Sequence, residues 1–456
     1  MLFINLTFLK RLGIMLLAVT LLLSCQDDDA SSTEPVDPSD PLEPGEPGNP
    51  DNHKKTFTFS IPAGYPDGPS FQQHIIISDD KGNVLGSTRL VQGTTYSLTA
   101  PEGFTGKDVT VTLLSSSKLY ATAPINTYLY TYTNVPFGDY GYRLNDITMP
   151  PKSESRGHAT FTLEGIDPRT EGPDLILAGD FLMNYRPSPS GTLAYDFELR
   201  QDKAIILVSE TYQTPMRYIY REFEVGDNIA LSMTDMVPAN TQAITIPADA
   251  DQYTSVYVYG TNAYGTLNYF RSQPERTSST VIMVPVIPEA KFTSFETSIS
   301  FDIGNYSYGY RVKGNDIPAM TKQIDGKLEY SRKDNTVTLG VINADIMSID
   351  ATTGKSDNFI AWKLLSGGNT TVTLPQLPQT LIDTYGLATF ADLLNARSAR
   401  TFVYDYKEYD GYTDYLNKNL KPTTAPPAIT ESMYYTLMVD GKDSGGRTAP
   451  NGHKAN

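Results

Sequence analysis

From residue 56 onward the chain alternates apolar and polar positions in short runs. "TFTFSI" (56–61), "TYSLTAP" (95–101), "DVTVTLL" (108–114), "TYLYTYTNV" (127–135) and "ATFTLEG" (159–165) share the pattern, as do "RYIYREFEV" (217–225), "TSVYVYGTN" (254–262) and "TVTLGVIN" (336–343). A period of two, broken by Gly, Asn, Asp and Pro, predicts antiparallel strands with one face buried. "HIIISDDKGNVLGSTRL" (74–90) holds two such runs around Asp79-Asp80-Lys81-Gly82-Asn83, which reads as a hairpin loop. The alternating oxygen ligands and distal Glu of an EF-hand calcium loop are missing there. Helical periodicity enters near the end: Phe390, Leu393, Leu394 and Arg397 share a face in 387–400, and 410–420 reads as a further short helix. The predicted fold is all-β, with tandem antiparallel β-sandwich modules and one or two short helices in the last.

Two echoes set the expected modules. Tyr140-Gly141-Tyr142-Arg143, with Asn145-Asp146-Ile147 behind it, returns as Tyr308-Gly309-Tyr310-Arg311 with Asn315-Asp316-Ile317. "LVQGTTYSLTAP" (90–101) returns as "LLSGGNTTVTLP" (364–375), with a looser cousin "TQAITIP" (241–247). These place modules at 55–150, 151–320 and 321–445, ahead of a flexible tail at 446–456. Two larger domains are the other division considered.

The first 54 residues follow other rules. Lys10 and Arg11 precede an apolar run at 12–23, and the run ends Leu22-Leu23-Ser24-Cys25. Twelve residues fall short of the roughly 20 that span a bilayer, so residues 1–24 read as a signal peptide. The ending resembles the lipobox of bacterial lipoproteins, and Cys25 is the chain's one cysteine. The resemblance implies cleavage before Cys25 and acylation of it, and several acyl chains give stable anchoring. Gln26, Asp27, Asp28 and Asp29 resemble the acidic export tag of Bacteroidetes surface lipoproteins, which implies display on the outer face of the outer membrane. Proline then falls at 35, 38, 41, 44, 47 and 50. Polyproline II repeats every three residues, so these prolines form one edge and Asp37, Asp40, Glu43 and Glu46 another. Residues 25–54 thus read as an acidic spacer, its 16-residue proline-periodic stretch reaching roughly 50 Å.

Composition narrows the function. Net charge is −16 over 456 residues, against the basic face that nucleic acid needs. Nine of the acids lie between 26 and 52, so the remainder is mildly acidic. One cysteine and four scattered histidines offer no intrachain disulfide and no metal-ligand spacing. A nucleophile elbow, a P-loop, H-E-x-x-H and a dinucleotide-binding glycine pattern are absent. "SSSK" (115–118) lacks the companion motifs of β-lactamases, and Asp249 with Asp251 reads as a solvated loop. The expectation is a protein that is not an enzyme and needs no cofactor.

Tyrosine is the compositional outlier, at 30 against one tryptophan. Tyr128, Tyr130 and Tyr132 share a strand face, as do Tyr306, Tyr308 and Tyr310; pairs recur at 218/220, 257/259 and 404/406. Such ladders stabilise sheets through cross-strand pairs of about 0.2–1 kcal/mol each. They also stack on sugar rings or grip extended peptides, which makes those six the candidate ligand contacts. Trp362, in "NFIAWKLL" (358–365), reads as core.

"NVPFGDYGYRL" (134–144) is similar to the last strands of transthyretin-like and Ig-like sandwiches, modules common in surface lipoproteins and fimbrial components of the Bacteroidetes. That resemblance implies a fold class and carries no functional residue. The expected function is a lipid-anchored binding or structural protein of the bacterial outer membrane, with membrane contact through its acyl chains and a glycan or a surface protein as partner. Two alternatives stay open: a glycan-binding accessory lipoprotein of a polysaccharide-uptake system, and a fimbrial anchor or adhesin subunit. A hydrolase with a sequence-silent carboxylate pair is the third.

Overall fold

A computed structural model describes residues 55–448, apart from 66–67, 69–70, 119–124, 144–153, 168–171, 179–182, 186–190, 212–214, 251–253, 273–279, 305, 325–328, 341–343, 354–357, 369, 396–398, 422–425 and 440–446. Cys25, the 26–29 tag, the proline spacer and residues 449–456 lie outside the described residues.

The strands fall into sets that repeat one order. The first set is β1 (Thr56–Ser60), β2 (Phe71–Ser78), β3 (Val84–Leu90), β4 (Thr95–Thr99), β5 (Asp108–Ser117), β6 (Ile125–Pro136) and β7 (Gly138–Gly141). Lettered A to G, they pair as D-A-G and C-B-E-F, with G parallel to A. The second set is β8 (Gly157–Glu164), β9 (Asp174–Ala178), β10 (Met183–Tyr185), β11 (Thr192–Leu199), β12 (Lys203–Glu210), β13 (Arg217–Glu224) and β14 (Asn228–Ser232). It pairs in the same order, and the short β15 (Val237–Pro238) adds to its F strand. The third is β16 (Asn240–Thr245), β17 (Ser255–Asn262), β18 (Gly265–Arg271), β19 (Val281–Val286), β20 (Ser294–Ile303) and β21 (Tyr306–Gly314). A parallel bridge from Thr245 to Met320 stands in its G position.

The fourth set begins with an extra strand, β22 (Glu329–Lys333), before β23 (Thr336–Gly340), β24 (Ile346–Thr352), β25 (Asn358–Ser366), β26 (Thr370–Thr373), β27 (Ala399–Tyr406) and β28 (Glu431–Val439). Here β22 flanks A as an antiparallel hairpin, and β29 (Arg447–Thr448) pairs outside it. The fold is all-β, as expected from the alternation. An immunoglobulin constant domain joins A, B, E and D in one sheet and C, F and G in the other. These units do not: in each, A lies in a sheet apart from B and E. Residues 151–320, where the sequence reading expects one module, contain two sets.

Among the described residues, twelve strands form one continuous sheet from three of these sets. Strand F of unit 3 (β21) pairs antiparallel with strand F of unit 4 (β28), Tyr306–Val312 against Glu431–Leu437. Strand C of unit 4 (β25) pairs parallel with strand F of unit 1 (β6). The last unit in sequence therefore sits between the first and the third. Unit 2 keeps its own sheet and packs Ile176, Ile205, Leu207 and Tyr218 into the core of unit 3.

Alternation decides which face each interior occupies. Val258, Ile299, Phe301, Tyr310, Val403, Ile349 and Leu364 lie on one face and belong to the cores of units 3 and 4. Ile77, Val111 and Leu365 lie on the reverse face, in the core of unit 1 with Phe57 and Phe59. Trp362 is core as expected, 1% exposed. Its indole N–H donates to Thr131 Oγ1 at 2.8 Å and its ring meets Phe390 edge-on.

Among the described residues, three short α-helices cover joints. Helix α1 (Gln379–Tyr385), which the periodicity did not single out, lays Tyr385 on unit 1: its hydroxyl donates to Gln72 at 2.6 Å and meets His74 Nε2 at 2.9 Å. Helix α2 (Phe390–Asn395) buries Phe390, Leu393 and Leu394, as their spacing implies, and the chain is already strand by Ala399. Helix α3 (Gly411–Leu420) presses Tyr412, Leu416 and Leu420 onto the core of unit 1. No helix among the described residues is long and apolar enough to cross a membrane.

The 79–83 loop is a hairpin turn. Asp79 Oδ1 accepts the backbone N–H of Lys81 and of Asn83, which spends that carboxylate on the turn. Gly82 has φ +81°, and a Cβ there would stand 2.6 Å from the Leu374 carbonyl oxygen of unit 4.

Candidate functional site

The reverse face of the joined sheet, where it crosses units 3 and 4, carries side chains rather than a covering sheet, because those units stack their D-A-G sheets on the other side. Register assembles this face. Tyr130 of β6 stands beside Lys363 of β25, which stands beside Asp350 of β24. Phe402 and Tyr404 of β27 follow, then Tyr434 of β28, Gly309 and Arg311 of β21, Glu296 of β20, and Tyr257 and Tyr259 of β17. Every second residue of each strand points this way, so the pleat brings to one surface side chains up to about 300 positions apart.

Lys363 is the centre of the unit 4 portion. Its ammonium lies 5.8 Å from the Phe402 ring centroid and 5.2 Å from that of Tyr404. It is 3.6 Å from Asp350 Oδ2 and donates to the Tyr404 hydroxyl at 3.4 Å. Ser348 donates to the other Asp350 oxygen at 2.9 Å. Phe402, Tyr404 and Tyr406 form a stacked row at 5.9 and 5.7 Å. Tyr434 stands 6.1 Å from Tyr404, and its ring lies against Gly309 so closely that a Cβ there would be 2.1 Å from it. Glycine in the neighbouring strand is what lets that ring lie down on the sheet.

The unit 3 portion is built the same way. Arg311 pairs with Glu296 at 2.7 Å, and the Arg271 guanidinium lies 5.3 Å from the Tyr257 ring centroid. Burial and the Asp350 carboxylate hold the Tyr404 hydroxyl well above the usual phenol range. Burial, then Asp302, also raises that of Tyr434. Burial also raises the Asp350 carboxyl, against the pull of Lys363. These tyrosines are therefore protonated at neutral pH, as donors and flat apolar surfaces. The face offers rings, hydroxyls and paired charges. Among the described residues no three His, Cys, Asp or Glu side chains are grouped to hold a metal ion.

The six tyrosines expected as ligand contacts divide. Tyr130 is 37% exposed and lies on this face. Tyr128 is half-buried beside Phe359, and Tyr132 is half-buried against the core of unit 1. Tyr306 and Tyr310 are 7% and 3% exposed and sit in the interior on the opposite face. Tyr308 stacks on Phe301 at 5.4 Å in the same layer. Their strand alternates correctly, but the sandwich of unit 3 closes over the tyrosine side and leaves Ser307, Gly309 and Arg311 on the candidate face. Lys363, Asp350, Phe402 and Tyr434 went unmarked in the sequence. The Tyr404/Tyr406 and Tyr257/Tyr259 alternations were its visible traces.

No protein-family profile matches the chain. No curated protein matches it either.

Proposed function

We propose that this is a lipid-anchored, non-catalytic binding protein of the outer-membrane surface, held by acyl groups on Cys25, lifted by the proline spacer, and using the aromatic and ionic face of its joined sheet as the contact surface. The observation that carries the reading is the set of exposed Tyr130 with half-buried Lys363, Phe402, Tyr404 and Tyr434 on one sheet face. A contiguous patch of partly exposed rings on one face of a sheet marks a contact surface. The alternative of a fimbrial anchor accepting a donated strand has less support. Strand A has a neighbour on both sides in units 1, 2 and 4, and in unit 3 Thr245 is bridged on its free side by Met320.

The test uses the full chain expressed in a Bacteroidetes-type host. Growth on labelled palmitate is expected to label the protein, and protease added to intact cells is expected to remove it. Cys25→Ser abolishes both. An unlabelled wild-type protein in the culture medium would overturn the anchor.

A further inference from the structure

We infer that the face formed by Tyr130, Lys363, Tyr404, Tyr434 and Tyr257 takes a polymer of uncharged sugar rings. This rests on the reading of that face as the contact surface. Three features of the face choose among ligands.

The first is charge. Lys363 is paired with Asp350 and Arg311 with Glu296, so the cations at the centre of each half are already neutralised in place. A nucleic acid or an acidic polysaccharide needs unpaired cations along its track, and the chain carries −16 overall.

The second is the backbone. Peptides recognised by sheets add to an edge, where main-chain donors and acceptors are free. Strands β6, β25, β24, β27, β28, β21, β20 and β17 each have a strand on both sides, so their main-chain groups serve the sheet. An extended peptide laid on this face would leave its own N–H and C=O groups without main-chain partners and partly cut off from water. A pyranose ring carries its polar groups around the rim and has two C–H faces. Stacked on a tyrosine, it keeps its hydroxyls in water or aims them at neighbouring Lys, Asp and Ser side chains.

The third is spacing. Tyr130 and Tyr404 are three strands apart, and so are Tyr434 and Tyr257. At the usual strand separation each step is about 14 Å across the strands, and the register displaces Tyr130 four residues along the strand from the row of Tyr404, and Tyr257 two from that of Tyr434. The central pair lies between two outer stations along the direction that crosses the strands. Tyr434 supplies a platform held close to the sheet, because it rests on Gly309.

The experiment is affinity electrophoresis followed by calorimetry on the mature chain without its acyl groups. The gels contain soluble starch, mixed-linkage β-glucan, mannan or xylan, with polygalacturonate, a poly-dT oligonucleotide and an extended polar peptide as the contrasting ligands. At least one neutral polysaccharide is expected to retard the protein equally at about 50 and 500 mM salt, since screening removes ionic contacts and leaves stacking. Tyr434→Ala weakens that binding about tenfold. Gly309→Ala, which keeps every ring but lifts Tyr434 off the sheet, weakens it similarly. Tyr195→Ala, an exposed tyrosine of unit 2, leaves it unchanged. Circular dichroism and the melting temperature show that each variant folds, and Tyr130→Ala replaces any that does not. If polygalacturonate, oligonucleotide or peptide is bound and Tyr434→Ala releases it, the sugar inference is overturned while the contact face stands. If a neutral polysaccharide binds and all face variants bind it as wild type does, the face itself is wrong. If no probe binds, both are overturned.

Discussion

At the scale of single residues, buried polar atoms with one partner show where this protein is most sensitive. The Trp362 indole N–H has Thr131 Oγ1 for its acceptor, and Thr131 Oγ1 is also 2.8 Å from Thr112 Oγ1. Thr131→Val strands the indole donor and is expected to cost about 1–3 kcal/mol. Trp362→Ala empties the largest core site and costs about 3–5 kcal/mol. Urea midpoints of the two variants give the comparison. Asp405 presents a different case. Burial first, then the neighbouring Asp345 and Glu431, raise its carboxyl to about 6. A carboxyl raised in the folded state binds its proton more tightly there than in the unfolded chain. Stability therefore falls as pH rises from about 4 to about 6, and the penalty is complete above that. Asp405→Asn is expected to raise the melting temperature by a few degrees at pH 8 and to have little effect near pH 4. A larger gain at the acid end would contradict this sign.

Among elements, the joints between units depend on a few local structures. The 79–83 hairpin touches unit 4 through Gly82: the Gln376 N–H donates to its carbonyl at 2.9 Å. Gly82→Val combines a left-handed φ with a clash against Leu374 O, two costs of about 1–3 kcal/mol each. Hydrogen exchange is expected to quicken at β3 and β26 together in that variant. Helix α3 is the other joint. Leu416 is 1% exposed between α3 and unit 1, and Leu416→Ala should cost about 2–5 kcal/mol, read as faster proteolysis within 407–421. The sequence echoes can also be judged here. The 90–101 and 364–375 pair falls on equivalent connections, from strand C into strand D of units 1 and 4. The Tyr-Gly-Tyr-Arg pair does not: it begins in strand G of unit 1 and lies within strand F of unit 3. Matching an F strand to a G strand is how the second and third sets merge into one expected module.

For the whole molecule, the joined sheet makes unit 4 the connector. Strands β6 and β21 both pair with it and not with each other. A chain ending after residue 324 would keep units 1, 2 and 3 but expose β6 and β21 as unprotected edges. It is expected to self-associate, measured by light scattering on size exclusion, where the 55–448 chain remains at lower mass. Alternation told that these segments are strands and which residues share a side. Whether that side faces an interior depends on where the next unit stacks its second sheet. Tyr130 and Tyr308 illustrate this, since both sit in alternating tyrosine runs and they ended on opposite faces.

The sequence by itself determined the class: strands of period two, a tryptophan in the core, a turn at 79–83, and the expectation of a signal, an acylation site and a spacer ahead of them. Those are local properties, set by side-chain periodicity and by residues a few positions apart. Only the tertiary structure decided the order of strands in each sandwich, the presence of two sets within 151–320, and the meeting of Tyr130, Lys363, Tyr404 and Tyr434. Each of those is a pairing between strands distant along the chain. Main-chain hydrogen bonds are alike for all residues, so no short stretch of sequence records which partner a strand will take.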